Sequence, residues 1–171
     1  MKRELERTSC RKEIDLIIIS RVPVEIVATH LKSRGSALSL PFNPSDYQAF
    51  HVQMEQGDEK RIVLWWENEK ATKDRDCRLV NSDDSAGAHD RVQSFIHGNT
   101  KGLEPADLRS SPNIEPVAVT NKLDGNFWYL IDGSHRSIAQ FRSKKSFEGA
   151  RIFVCVHPQI MNWPNIPSFY K

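Results

Sequence analysis

The sequence predicts an α+β fold in which a single domain contains a small β-sheet and several helices. Two observations support this prediction. Short apolar runs rich in β-branched residues alternate with segments of helical spacing, and an Asp124-Gly125 pair between two of these runs is typical of a β-hairpin turn. The chain has 171 residues, of which 39% are hydrophobic, so it can bury one core and does not have the composition of a disordered protein. We therefore treat residues 1–171 as one domain.

The N-terminal part of the chain contains two predicted strands and two predicted helices. Residues 14–20 are rich in isoleucine and predict a buried strand, and residues 22–33 have the spacing of a helix. A Pro-Ser-Asp sequence within residues 41–56 looks like the start of a second helix, with Ser45 as the candidate cap. Residues 61–66 (Arg-Ile-Val-Leu-Trp-Trp) predict the second strand.

The middle of the chain is expected to be a polar insertion followed by a helix. Residues 67–89 are dense in charged and small polar side chains, which favours an exposed connection. Within residues 88–97 the apolar side chains Val92, Phe95 and Ile96 recur at helical spacing and therefore share one face.

The C-terminal part of the chain predicts a hairpin, a helix and a last strand. Residues 116–120 and 128–131 are the hairpin strands, residues 134–143 have helical spacing, and residues 151–156 form a continuous apolar run. The tail from residue 157 onward is rich in proline and aromatic residues. We expect this tail to be irregular and to offer a surface to a protein partner.

Charge and cysteine content limit the function classes. The 24 basic and 22 acidic residues give a net charge of +2, so a site for a polyanion has to be local rather than a property of the whole surface. The three cysteines, Cys10, Cys77 and Cys155, are scattered and have no zinc-ligand or disulfide spacing. No apolar segment has the length of a membrane span or of a signal peptide, so we expect a cytoplasmic protein without membrane insertion.

The most informative motif lies between residues 127 and 140. An apolar strand stops at Gly133, and a helix restarts with His135 and Arg136 in its first turn. The free backbone N–H groups of a helix N-terminus and its dipole favour an anion, and an arginine can grip a phosphate through two hydrogen bonds. An ordinary strand-to-helix turn with an exposed His-Arg pair would have the same local pattern.

Together with residues 91–96 and 114–119, this motif resembles the ParB/sulfiredoxin superfamily. The resemblance covers roughly residues 90–157, and residues 14–24 loosely resemble the first strand of that fold, whereas residues 34–89 have no counterpart. It implies a small mixed β-sheet flanked by helices.

The resemblance also implies a binding site for ATP phosphates. In sulfiredoxins, a Gly-Cys-His-Arg motif and an upstream Lys-Val-Gln-Ser-Leu helix hold those phosphates together. The matching positions of this chain, and thus its expected phosphate-binding residues, are Arg91, Ser94, Gly133, Ser134, His135 and Arg136.

Ser134 separates this chain from the sulfiredoxins. Sulfiredoxin chemistry needs a cysteine thiolate at this position, and a serine hydroxyl cannot replace it without a dedicated base. The Asp-Gly-X-His-Arg form resembles instead the ParB-like nucleases and phosphotransferases, some of which are plasmid-encoded and inhibit conjugative DNA transfer. This resemblance implies an enzyme that binds ATP with Mg²⁺, hydrolyses it and cuts DNA. A kinase acting on a small molecule or protein, and a non-catalytic nucleotide-gated DNA-binding module, remain open.

The catalytic candidates are Asp132, Glu115 and His135. Either carboxylate would orient the attacking water and bind the metal ion, as electrostatic stabilisation of phosphoryl transfer requires. Asp132 also fits a helix cap, and Glu115 also fits an exposed loop. The other histidines, including His30 and His51, share no ligand spacing, so we interpret them as surface or capping residues.

Overall fold

The computed structural model describes residues 16–34, 39–64, 78–79, 115–144, 146–166 and 170–171. In this part of the chain, six strands form one mixed sheet, with one helix against each face. The elements are β1 (Ile17–Val22), α1 (Val24–Ser33), β2 (Gln48–Gln53), β3 (Ile62–Leu64), β4 (Val117–Thr120), β5 (Trp128–Asp132), α2 (Ser134–Lys144) and β6 (Arg151–Val156). The predicted α+β class is confirmed.

The strands are ordered β1-β2-β6-β4-β5-β3 across the sheet. The neighbours β1 and β2, β2 and β6, and β4 and β5 are antiparallel, whereas β6 and β4, and β5 and β3, are parallel. The strand β6 therefore lies in the middle of the sheet, between β1 and β2 on one side and the hairpin of β4 and β5, with β3 beside it, on the other. This order brings residues from four distant parts of the sequence into neighbouring strands.

Two hydrophobic cores lie on the two faces of the sheet. On one face, α1 packs through Val27 and Leu31 against alternate residues of the central strands, such as Tyr129. On the other face, α2 packs through Ile138 and Phe141 against the intervening residues. Successive side chains of a strand point to opposite faces, so each central strand contributes to both cores. Each fully buried aliphatic or aromatic side chain stabilises the fold by about 1.5–3 kcal/mol.

Most predicted elements are present. The helix at 22–33, the hairpin, the helix at 134–143 and the strand at 151–156 appear with boundaries that differ by at most a few residues. The predicted hairpin is the pair β4 and β5, joined across the turn that contains Gly125. The helix predicted at 88–97 lies outside the described residues.

Two predictions for the N-terminal part are wrong. The strand β1 is at the edge of the sheet rather than buried, and Ile17, Ile18 and Ile19 are each between 42% and 48% exposed. Residues 41–56 do not form a helix. They contain a single turn of 3-10 helix, Pro44–Asp46, in which Asn43 rather than Ser45 caps the backbone, and then the strand β2. Every residue of Gln48–Gln53 pairs with a residue of β6, and this tertiary pairing overrides the local helix-start signal.

The polar insertion and the tail each contain packed residues. Within the insertion predicted at 67–89, Arg78 forms a β-bridge with Val63, and Leu79 is fully buried. In the tail, Ile160 and Ile166 are buried in the core beneath α1, and residues Ile160–Asn162 form a turn of 3-10 helix. In the part of the chain that is described, no helix has the length and apolar character needed to cross a bilayer.

Candidate functional site

A β-bulge near the end of β5 sets the direction of Asp132. Val117 of β4 pairs with Asp132, but its neighbour Ala118 pairs with Leu130, so Ile131 is an extra residue in β5. Paired residues point to the same face of a sheet, and a bulge re-aims the side chain that follows it. The Asp132 carboxylate therefore lies on the face that α1 covers, where simple alternation from Leu130 would have put it on the other face.

Asp132 lies between two guanidinium groups. Its Oδ2 atom accepts a hydrogen bond from Nη2 of Arg136 at 2.9 Å, and Nε of Arg34 lies 3.2 Å from the same oxygen. The first arginine belongs to α2 and the second follows the last residue of α1, so the contact joins helices from opposite faces of the sheet. We call these three residues the arginine bridge.

The arginine bridge is partly removed from water. The side chain of Asp132 is 13% exposed, and those of Arg34 and Arg136 are 20% and 14% exposed. Burial raises the pKa of the Asp132 carboxyl, and the charges of Arg34 and His30 act in the opposite direction. Nε of Arg136 is buried and has no hydrogen-bond partner among the described residues. The guanidinium thus keeps a donor that a bound anion would satisfy.

Gly133 brings the start of α2 close to β4. Its φ of +88° is in the left-handed region, where glycine has no Cβ to clash. A Cβ at this position would lie 2.9 Å from the Cβ and 3.0 Å from the Cα of Pro116, and 3.1 Å from Nη2 of Arg136. The first intrahelical bond of α2 runs from the Ser137 N–H to the Gly133 carbonyl. The preceding N–H groups form the electropositive end of the helix.

A second polar group lies on the same face of the sheet, around the ring of Phe153. Nε2 of His51 lies 2.9 Å from Oε2 of Glu115, and Nε2 of His30 donates to the backbone oxygen of Glu115 at 3.0 Å. The ring of His51 stacks on Phe153 with centroids 4.9 Å apart, and the ring of His30 is tilted against it at 5.4 Å. We call His30, His51 and Glu115 the histidine cluster.

Two of the three predicted catalytic residues have well-defined surroundings. Asp132 is held in the arginine bridge, and Glu115 is 98% buried beside His51 rather than on an exposed loop. His135 is exposed in the first turn of α2, next to the half-buried Ser134. Arg91 and Ser94, which are also expected to bind phosphate, lie outside the described residues.

Sequence reasoning missed Arg34, His30 and His51. Arg34 and His30 sit at the C-terminal end of α1, and His51 sits in a strand that was predicted as helix. The spacing of His30 and Arg34, one helical turn apart, shows that they share a face. Which residues that face contacts depends on the order of the strands in the sheet, and a local sequence pattern does not reveal this order.

The described residues do not assemble a metal site by themselves. No group of three His, Cys, Asp or Glu side chains among them is arranged to hold a metal ion. The two predicted metal ligands, Asp132 and Glu115, face Arg136 and His51. A metal ion would have to displace the Arg136 guanidinium from Asp132 and the His51 ring from Glu115 to bind these carboxylates.

A groove on the other face of the sheet is separate from both clusters. It has a volume of about 570 Å³ and is lined mainly by apolar side chains, including Ile18, Phe50, Leu123 and Val156. None of the predicted site residues that are described lines it. The thiol of Cys155 is also separate from the site, because burial in the core raises its pKa to about 12 and leaves it unreactive at neutral pH.

Compared with protein-family models, with curated proteins and with solved structures, the chain matches none. The resemblance to the ParB/sulfiredoxin superfamily therefore depends on the motif residues described above.

Proposed function

We propose that this chain binds the phosphate groups of a nucleoside triphosphate at the N-terminus of α2 and hydrolyses the terminal phosphate, as a member of the ParB/sulfiredoxin superfamily. The observation that carries this proposal is the arginine bridge, because it holds the Arg136 guanidinium, with a buried and unpartnered Nε, at the start of an 11-residue helix. A guanidinium group and a helix N-terminus both bind phosphate, and here they converge.

The start of α2 and the arginine bridge have separate roles in the proposed site. The first-turn N–H groups of α2 donate to phosphate oxygens, and the left-handed turn at Gly133, which has no side chain, lets those oxygens approach the backbone closely. Arg136 donates its remaining N–H groups to the same phosphate. Asp132 holds the two guanidinium groups in place before the nucleotide binds, so that little side-chain entropy is lost on binding.

The substrate is a triphosphate that brings its own magnesium ion. Mg²⁺ is usually bound through substrate phosphates together with few protein carboxylates, and a nucleotide complex of this kind does not require a preformed metal site. The same donors also fit the phosphodiester groups of DNA, so DNA cleavage is the alternative reaction and is assayed in parallel on plasmid and single-stranded DNA.

Nucleotide affinity is the test of the proposal. We expect wild-type protein to bind ATP and CTP with Mg²⁺, as measured by calorimetry, and Arg136→Gln to bind at least about tenfold more weakly. The loss of a charge-assisted hydrogen bond costs about 1.5–3 kcal/mol, and each 1.4 kcal/mol is about tenfold in affinity. Arg21→Gln is the matched control, because Arg21 is exposed on the edge strand β1. Equal affinity in all three proteins would overturn the proposal.

A further inference from the structure

Glu115 has an environment that packing alone does not explain. Its side chain is 2% exposed, and its Oε1 atom is buried without a hydrogen-bond partner among the described residues. Leaving a buried acceptor without a partner costs about 1–3 kcal/mol, and such a group in a native protein calls for an explanation, of which a catalytic role and a bound water molecule or ion are two. The orphaned oxygen therefore indicates a place for a water molecule or a ligand hydroxyl.

His51 faces the same carboxylate. Its Nε2 atom lies 2.9 Å from Oε2 of Glu115, but the two atoms do not have the geometry of a formed hydrogen bond. Apo sites often have long or poorly aligned catalytic hydrogen bonds that tighten when substrate binds. Stacking on Phe153 fixes the plane of the ring.

The histidine cluster is connected to the arginine bridge across the sheet. Strand pairing aligns His51, Phe153, Val117 and Asp132 in one row on four adjacent strands. Adjacent strands are about 4.8 Å apart, so the ends of this row are separated by about 14 Å. His30 lies near both groups, because it contacts Phe153 and Glu115 and its charge also acts on Asp132.

The arginine bridge itself is a poor source of a catalytic base. Asp132 accepts a hydrogen bond from Arg136 and lies against Arg34, so its carboxylate is occupied in holding these side chains. Glu115 and His51 have no arginine or lysine partner among the described residues, and Oε1 of Glu115 is unpartnered there. The histidine cluster is therefore the better candidate for the group that accepts a proton in the reaction.

We propose that His51, oriented by Glu115, is the general base that activates the water attacking the terminal phosphate of a nucleotide bound at α2. This inference rests on the function proposed above. The water is held by Oε1 of Glu115, and its proton passes to the His51 imidazole as its oxygen forms a bond to the terminal phosphorus. The bond from that phosphorus to the bridging oxygen breaks, and its electron pair leaves with the nucleoside diphosphate. His30 is a positioning residue that fixes the backbone of Glu115.

Chemical rescue tests this assignment. Phosphate release from ATP with Mg²⁺ is measured for wild type, His51→Ala and His51→Gln, with nucleotide affinity measured on the same samples. General base catalysis contributes about 100-fold or more, so we expect both variants to bind ATP normally and to lose about that factor in hydrolysis. The His51 side chain is 16% exposed, so free imidazole can enter the space left in His51→Ala and should restore phosphate release. A histidine with a purely structural role would not give this rescue.

Gln53→Ala is the matched control, because Gln53 lies on the same strand and the same face, two residues from His51. It should hydrolyse ATP at the wild-type rate.

The outcomes separate this inference from the function on which it rests. Wild-type protein that does not bind or does not hydrolyse ATP overturns the proposed function, and the base assignment with it. Hydrolysis by His51→Gln within about twofold of wild type overturns only the base assignment, as does a loss that imidazole does not reverse. Weakened ATP binding in His51→Gln also overturns it, because the side chain would then act in binding. If His51→Ala does not fold, the His51→Gln result decides.

Discussion

The substitution Gly133→Ala tests the close contact between the start of α2 and β4. A non-glycine residue in the left-handed region costs about 1–2 kcal/mol, and Gly133 has a φ of +88°. The added Cβ would also lie 2.9 Å and 3.0 Å from Pro116 atoms, one of which is backbone and cannot rotate away. Overpacking of this kind costs about 1–3 kcal/mol, so we expect a total loss of about 2–5 kcal/mol in the free energy of unfolding.

Gly57→Ala is the control for this experiment. Gly57 has a φ of +99°, but a Cβ there would meet no atom within 4 Å. Its loss should be limited to the backbone term of about 1–2 kcal/mol. Urea unfolding followed by circular dichroism measures both variants. If Gly133→Ala is no less stable than Gly57→Ala, the contact with Pro116 is not as close as the structure describes, and the reasoning is refuted.

The remaining predictions concern titrating groups. Burial raises the pKa of Asp132 above its ordinary value of 3.8, so the folded state binds this proton more tightly than the unfolded state. The resulting stabilisation is present at low pH and is lost as the pH rises from 3.8 through the folded-state pKa. The substitution Asp132→Asn should remove this decline. Urea midpoints that change with pH in the same way for wild type and Asp132→Asn between pH 3.5 and 7 would contradict the prediction. In a Cys10→Ser, Cys77→Ser variant, Cys155 should not react with a thiol reagent at pH 8 until urea unfolds the protein, and rapid native labelling would contradict its burial.

Local sequence patterns predicted the elements whose ends are marked by turn residues or by a continuous apolar run. The turn at Gly125 and the glycine at 133 bound β4, β5 and α2, and an apolar run marks β6. These signals depend only on neighbouring residues, so they can be recognised in a single sequence. Whether a strand is central or at an edge depends on the order of the sheet. The isoleucine run of β1 therefore predicted a strand correctly and its burial wrongly.

The candidate site could be predicted only in part for the same reason. Asp132 and Arg136 belong to one motif and are four residues apart in sequence, so their contact is local. Glu115 and His51 meet because β6 joins β2 to β4, a pairing that joins segments more than 60 residues apart. The bulge at Ile131 was also not readable from the sequence, although it decides which face of the sheet Asp132 occupies.

A nuclear magnetic resonance titration with ATP and Mg²⁺ tests the central claim most directly. Phosphate bound at the N-terminus of α2 should produce the largest changes in amide chemical shift at Gly133, Ser134, His135 and Arg136, and these changes should saturate with one affinity. Changes that instead cluster around Phe50 and Leu123, in the groove on the other face of the sheet, would contradict the claim. The absence of any saturable change would contradict it as well.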